Sequence, residues 1–248
     1  MSGPVAPIAP LTGISSMATK AVLGDLVRAY AARSGQDVVI ESVGGVDAAK
    51  RVQAGEPFDV VVLARDAIDR LLAGGHLVAG SEVDVVVSGV AAAVRQGAPR
   101  PDIGSEDALR RAVLAASTIG YSTGPSGVQL SRLFTRWGII EQIGDRIVIA
   151  PPGVPVGRLV ARGEVELGFQ QHAELLHLDG IDVLGPLPAA IQIVTTFSGA
   201  VGARAAQPEA ARALLEFLES PAAGDAKRRH GMEAVDFDTA RSAGSAAL

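Results

Sequence analysis

Residues 119–139, IGYSTGPSGVQLSRLFTRWGI, decide how the rest of the chain is read. The apolar run Val113–Ile119 leads in as the end of a strand. Tyr121–Gly127 is then built from Ser, Thr, Gly and Pro, and beyond it apolar side chains fall at Val128, Leu130, Leu133, Phe134 and Trp137, the spacing of one helix face. Strand, small-residue turn and helix start follow one another within this stretch. Such a turn leaves backbone N–H groups without partners, and the helix dipole favours negative charge beside them. Ser122, Thr123, Ser126 and Gly127 are therefore candidate anion ligands, although the same residues also serve as plain helix caps.

Working outward, the pattern recurs. Ser15 and Ser16 fall in a turn over Thr12–Thr19 ahead of a helix carrying Val22, Leu26 and Tyr30, which Gly35 ends. Val38–Val43 reads as a strand, Gly44-Gly45-Val46 as a turn, and the helix after it runs to about Ala54. Phe58–Ala64 is a Val-rich buried strand, followed by a helix over Asp66–Ala73 with Arg65 at its start. Asp84–Val94 is a long β-like run, and Glu106–Ala115 is helical. Arg146–Ala150 is a strand, Pro151–Gly157 a rigid loop containing Gly153 and Val154, and Val165–Phe169 a strand ending at Gln170-Gln171. Short helices over Ala173–Leu178 and Arg158–Arg162, strands over Ile181–Leu184 and Ile191–Phe197, and helices over Pro208–Glu219 and Ala222–His230 complete the chain. The tail after Thr239 is expected to fray. Strands alternating with helices define an α/β protein with mainly parallel sheets. In open sheets of this class ligands sit beyond the carboxyl ends of the strands, where these turns fall.

Composition narrows the function. The 248 residues suffice for two small domains, and the 4% aromatic content calls for an aliphatic core. A net charge of −5 without a basic cluster argues against a nucleic-acid partner. With no cysteine there is no disulfide, thiolate metal site or thiol nucleophile. The four histidines lack metal-ligand spacing, so no metal and no cofactor is expected. The sequence shows neither a secretory signal nor a run long enough to span a membrane, so no membrane partner is expected and the location expected is cytoplasmic, or periplasmic for a chain already trimmed of its signal. GPSGVQLS lacks the lysine of a phosphate-binding loop and the glycine pattern of a nucleophile elbow.

The order of GISSMATKAVLGDLVRAYAARSGQDV, VGGVDAAKRVQAGEPFDVVVLARDAID, VDVVVSGVAAAV, STGPSGVQLSRLFTRWGI, VARGEVELGFQQ and ALLEFLESPAAGDAKRRHGM resembles the type II periplasmic-binding-protein fold, in its molybdate-binding-protein-like branch. The resemblance covers nearly the whole chain. It implies two lobes, each a mainly parallel sheet flanked by helices, joined by two strand crossovers with a ligand cleft between them. Lobe one is expected over 1–87 and 199–248, lobe two over 88–198. Carried onto this sequence, the ligand residues implied are Ser15, Ser16, Gly44, Gly45, Val46, Ser122, Thr123, Ser126, Gly127, Gly153 and Val154, with Gln170 and Gln171 where molybdate binders often carry a tyrosine. Three departures stand out: no export signal, Gly44-Gly45 in place of a serine, and Gln170-Gln171 in place of the tyrosine. Paired amides suit carboxylates better than molybdate.

The same branch includes aconitate isomerase. One reading is therefore an isomerase that moves a proton along the allyl system of a small di- or tricarboxylate, which needs an acid–base group and donors for the developing charge. Tyr121 and His172 are the leading proton-transfer candidates, with Lys50 and Glu41 behind them, and Arg65 or Arg158 could clamp an anion. The alternative is a non-catalytic solute-binding protein for an oxyanion or carboxylate, linked to transport or sensing. Both take a small anionic ligand as partner; neither fixes the oligomeric state.

Overall fold

The computed structural model describes residues 9–151 and 153–233. In chain order the elements begin β1 (Leu11–Ser16), α1 (Lys20–Ser34), β2 (Val38–Val43), α2 (Gly45–Gln53), β3 (Val60–Ala64) and α3 (Arg65–Ala73). They continue β4 (Val83–Arg95), α4 (Glu106–Ala115), β5 (Ile119–Tyr121), α5 (Pro125–Arg136), α6 (Ile140–Ile143), β6 (Ile147–Ile149), α7 (Val156–Ala161), β7 (Leu167–Gln171) and α8 (His172–Leu175). The last are β8 (Ile181–Pro186), β9 (Val194–Val201), α9 (Pro208–Glu219) and α10 (Gly224–Arg229). The described residues form two compact units: 9–85 with Phe197–Lys227, and Val86–Thr196 with Arg228–Glu233. The chain thus passes between units inside β4, inside β9 and again inside α10.

In the first unit β1 lies between β2 and β3, parallel to both, and β9 joins β3 antiparallel. A strand paired on both edges has every ladder group satisfied, and β3, VVVLA, is buried along its whole length. Ile14, Val61, Leu63, Ile68 and Leu71 form the core on the side of α2 and α3. Asp59 pins the start of β3, accepting from the Thr12 N–H at 2.9 Å, the Thr12 hydroxyl at 3.0 Å and the Gln207 N–H at 2.9 Å.

In the second unit β7 pairs antiparallel with β4 and parallel with β5, β6 lies parallel to β5, and β8 adds to β4. Successive β4 residues serve opposite faces, as the pleat requires. Val90, Ala92 and Val94 pack with Phe134 and Phe169 from α5 and β7, whereas Ala91 and Ala93 pack with Val156, Val160 and Leu175 from α7 and α8. Arg228–Glu233 is tied on by reciprocal backbone bonds between Val87 and Glu233.

Two local expectations are corrected. Thr12–Ser16 is strand rather than turn, because pairing on both sides outweighs the weak alternation of LTGISS. Val113–Ala115 is the last turn of α4 rather than strand; that helix is held at its start by Ser105, whose Oγ accepts from the Ala108 N–H at 3.2 Å. The strand is confined to Ile119–Tyr121. The tail after Thr239 lies outside the described residues. Among the described residues no helix is long and apolar enough to cross a membrane, and no group of three or more His, Asp or Glu is placed to hold a metal ion.

Candidate ligand-binding site

Each unit carries its own cluster of the expected site residues. In the first, Ser15 and Ser16 end β1 beside Ser42 and Val43 of β2. Ser15 is buried, its hydroxyl 2.8 Å from that of Ser42. Ser16 Oγ accepts from the Ala18 N–H at 3.2 Å and so caps the 3₁₀ turn Met17–Thr19. Gly44 is the N-cap of α2 and makes no side-chain cap; a Cβ on Gly45 would lie 3.6 Å from Ser16 Cβ, which places the two turns against each other. Val46 is exposed in the first turn of α2.

Arg65 begins α3 and is bound to Asp84 at 2.8 Å and Asp69 at 3.0 Å. Ser198 donates to the same Asp84 oxygen at 2.6 Å. An anion at Arg65 has to displace two carboxylates. Glu41 is held by both Arg51 amines at 2.8 and 2.9 Å, and Lys50 and Arg158 are exposed.

In the second unit, Tyr121 leads into the turn and Gly124 caps α5, with Pro125 in its first turn. Ser122 Oγ reaches back to the Gly124 N–H at 3.4 Å, and Thr123 is exposed. Gly127 has a steric reason to be glycine: a Cβ there would lie 1.7 Å from the Ser122 carbonyl oxygen. Closing the turn this tightly brings the first N–H groups of α5 together. Pro125 has no N–H and Val128 donates to Gly124, so Ser126 and Gly127 carry the open donors. Ser126 is buried. Gly153 follows β6 with a φ of +76°, a left-handed conformation that favours glycine, and the Val154 N–H closes that turn on Pro151.

Gln170 and Gln171 end β7, both buried, and they do not act as a pair. Being consecutive in a strand they face opposite sides of the sheet. Gln170 accepts from the Gly157 N–H at 3.2 Å and hydrogen-bonds the carboxyl of Glu174. Gln171 is on the α5 side with Phe169; its Nε2 donates to Thr195 Oγ1 at 2.8 Å, and its Oε1 is buried without a hydrogen bond.

The titratable groups divide by environment. Burial raises the Tyr121 hydroxyl above its ordinary value, with a hydrogen bond to Ser131 opposing, and its ring packs edge-on against Phe134 at 6.1 Å. Burial lowers His172 below its ordinary value, favouring the neutral ring. Glu174, in the first turn of α8, is pushed up to about 7 by burial, with the Gln170 hydrogen bond opposing. Sequence reasoning passed over Glu174 and Thr195, since neither sits in a glycine- or serine-rich turn.

The family model described as bacterial extracellular solute-binding protein matches residues 11–233, almost all of what is described above. The chain belongs to this family. It is 39% identical over 235 residues to an aconitate isomerase from a Pseudomonas species, covering 92% of this chain and 89% of that one. Its fold is also that of the Azotobacter vinelandii periplasmic molybdate-binding protein, with a TM-score of 0.76 at 19% identity over 91% of this chain and all of that one. The sulfate-binding protein SubI of Mycobacterium tuberculosis superposes with a TM-score of 0.74 at 17% identity, covering 95% and 90% of the two chains. The α/β two-lobe class and the molybdate-binding-protein-like resemblance read from the sequence are thereby established.

Proposed function

We propose that this solute-binding protein takes a small di- or tricarboxylate and isomerises it by allylic proton transfer. The observation that carries the reading is the near full-length similarity to an aconitate isomerase, on a chain whose second unit holds open amide and hydroxyl donors. In the reaction a base removes a proton from the carbon between a carboxylate and the double bond. The C–H electron pair becomes a new C=C bond to the central carbon, the original π pair moves onto the far alkene carbon and into the carboxylate that carbon carries, and a proton returns at that far carbon. The α5 N-terminus, with Ser126 and Gly127 N–H groups, supplies fixed dipoles for the charge that gathers on the carboxylate.

For the proton we favour Glu174 over Tyr121 and His172. A carboxyl held near 7 is present in both forms at neutral pH, which suits a group that must take a proton and give it back. A buried tyrosine held protonated makes a poor base. Thermal-shift measurements with aconitate, tricarballylate, molybdate, sulfate and phosphate test the ligand class, since stabilisation follows saturation. Stabilisation by the oxyanions with none from the polycarboxylates overturns the reading. Proton NMR of aconitate with enzyme in D₂O then tests the chemistry. We expect allylic exchange, with Glu174→Gln binding ligand but losing exchange. Tight binding without exchange or isomer formation would favour a purely solute-binding role, which the likeness to molybdate- and sulfate-binding proteins supports.

A further inference from the structure

Among the described residues of the second unit, two buried side-chain polar atoms are left without hydrogen bonds, and both lie on one face of the β4–β7 ladder. They are Ser88 Oγ and Gln171 Oε1. Ser88 is 1% exposed and Gln171 4%. Val90 sits opposite Gln171, so Ser88, two residues before Val90, points to the same side and is its diagonal neighbour across the two strands. Thr195, 8% exposed, reaches Gln171 on that side from β9. α5 packs on this face too, through Leu130 and Phe134. β5 and β7 run parallel, Gly120 beside Gly168, so the start of α5 and Gln171 emerge at the same edge of the sheet. A buried polar atom left unpaired costs about 1–3 kcal/mol, so two on one face call for a partner.

We propose that Ser88 and Gln171 hold one carboxylate group of the ligand, beside the N-terminus of α5, with Thr195 fixing the Gln171 amide. This rests on the carboxylate reading above, adds Ser88 and Thr195 to it, and separates the role of Gln171, already implied by the resemblance, from that of Gln170. The hydrogen bonding is complete in one arrangement. The Ser88 hydroxyl donates to one carboxylate oxygen. The Gln171 amide turns over by half a rotation, so that Nε2 donates to the other oxygen while Oε1 accepts from the Thr195 hydroxyl. A hydroxyl at 195 can serve as acceptor in the free protein and donor in the complex; no other uncharged group of that size does both. The surroundings are apolar, Val90, Phe169 and Ile191 among them, which strengthens each bond to an anion.

The test is calorimetric titration of tricarballylate and trans-aconitate into the full chain, with thermal melting of each ligand-free variant. A serine that only fills space or holds a structural water, and one that waits for a ligand, respond differently to Ser88→Ala. We expect its melting temperature to be unchanged or raised, because an unsatisfied hydroxyl is removed, and its affinity to fall about tenfold, one charge-assisted hydrogen bond. Thr195→Val should lose a similar factor, and Thr195→Ser should bind within about twofold of the parent. Ser88→Ala binding as tightly as the parent, or melting several degrees lower, overturns the proposal, as does Thr195→Val with parental affinity. If the parent chain binds neither probe, the carboxylate reading itself fails, an outcome visible before any variant is made.

Discussion

The two units solve the same local problem in different ways. At the end of β1 the first unit spends its hydroxyls on itself: Ser15 is paired with Ser42, and Ser16 caps the turn that follows. At the end of β5 the second unit leaves its groups open. Gly124 caps α5 without a side chain, the Ser126 and Gly127 N–H groups stay open, and Gln171 keeps an unpaired oxygen at the same sheet edge. Serine in a strand-to-helix turn therefore has no fixed meaning. A satisfied hydroxyl is part of the scaffold, and an unsatisfied buried polar group is left available to a further partner.

The largest effect should come from forcing the tight turn apart. Gly127→Ala puts a Cβ inside the Ser122 carbonyl, and we expect about 3 kcal/mol of lost stability by urea denaturation, the upper end of overpacking costs. A loss below about 1 kcal/mol would show that the turn opens easily and does not fix the α5 donors.

The next separates the units by pH. Burial alone raises Asp59 in the first unit, but the hydrogen bonds from Thr12 and Gln207 outweigh it and the net value is lowered. Its contribution is present above the ordinary carboxylate range and is lost on acidification through the lowered value. Glu174 in the second unit behaves oppositely. Its value is raised from 4.5 to about 7, so its neutral form favours folding at low pH, and that contribution is lost as pH climbs to about 7. Glu174→Gln should stabilise the chain at pH 8 relative to pH 4 by about 2 kcal/mol compared with the parent, allowing for partial exposure. Equal pH profiles for parent and variant would contradict the assignment.

Smaller effects compare the serines directly. Ser15→Ala strands Ser42 Oγ and should cost about 1–2 kcal/mol, whereas Ser126→Ala should stay within about 0.5 kcal/mol and act on ligand affinity instead. Similar stability losses in both would erase the contrast between the turns. Smallest of all, Arg65→Gln removes a partly exposed pair to Asp84 and Asp69, worth up to about 1 kcal/mol. With Arg65 committed to those carboxylates, tricarballylate affinity should change less than twofold; a tenfold loss in titration would return Arg65 to the ligand.

Much of this was legible in the residues. Val38–Val43, Pro208–Glu219 and the Val-rich β3 announce themselves by composition and period, and the strand–turn–helix passage at Tyr121–Gly127 does so by its small residues. LTGISS was not legible as a strand, because its stability comes from neighbours on both sides rather than from its own pattern. Gln170-Gln171 looked like a pair of amides for one ligand, but the pleat sends them to opposite faces and gives each a separate partner.

By itself the sequence determined the α/β class, the chain order of the turns and the small-residue stretch at 119–139, because these depend on local spacing and propensity. Only the tertiary structure decided which polar groups are spent and which are open. Whether Ser15 meets Ser42, whether Arg65 is claimed by Asp84, and whether Gln171 finds a partner for its oxygen are matters of residues far apart in the chain. Hydrogen-bond satisfaction is a property of neighbours in space, and binding sites are built from what the fold leaves unsatisfied.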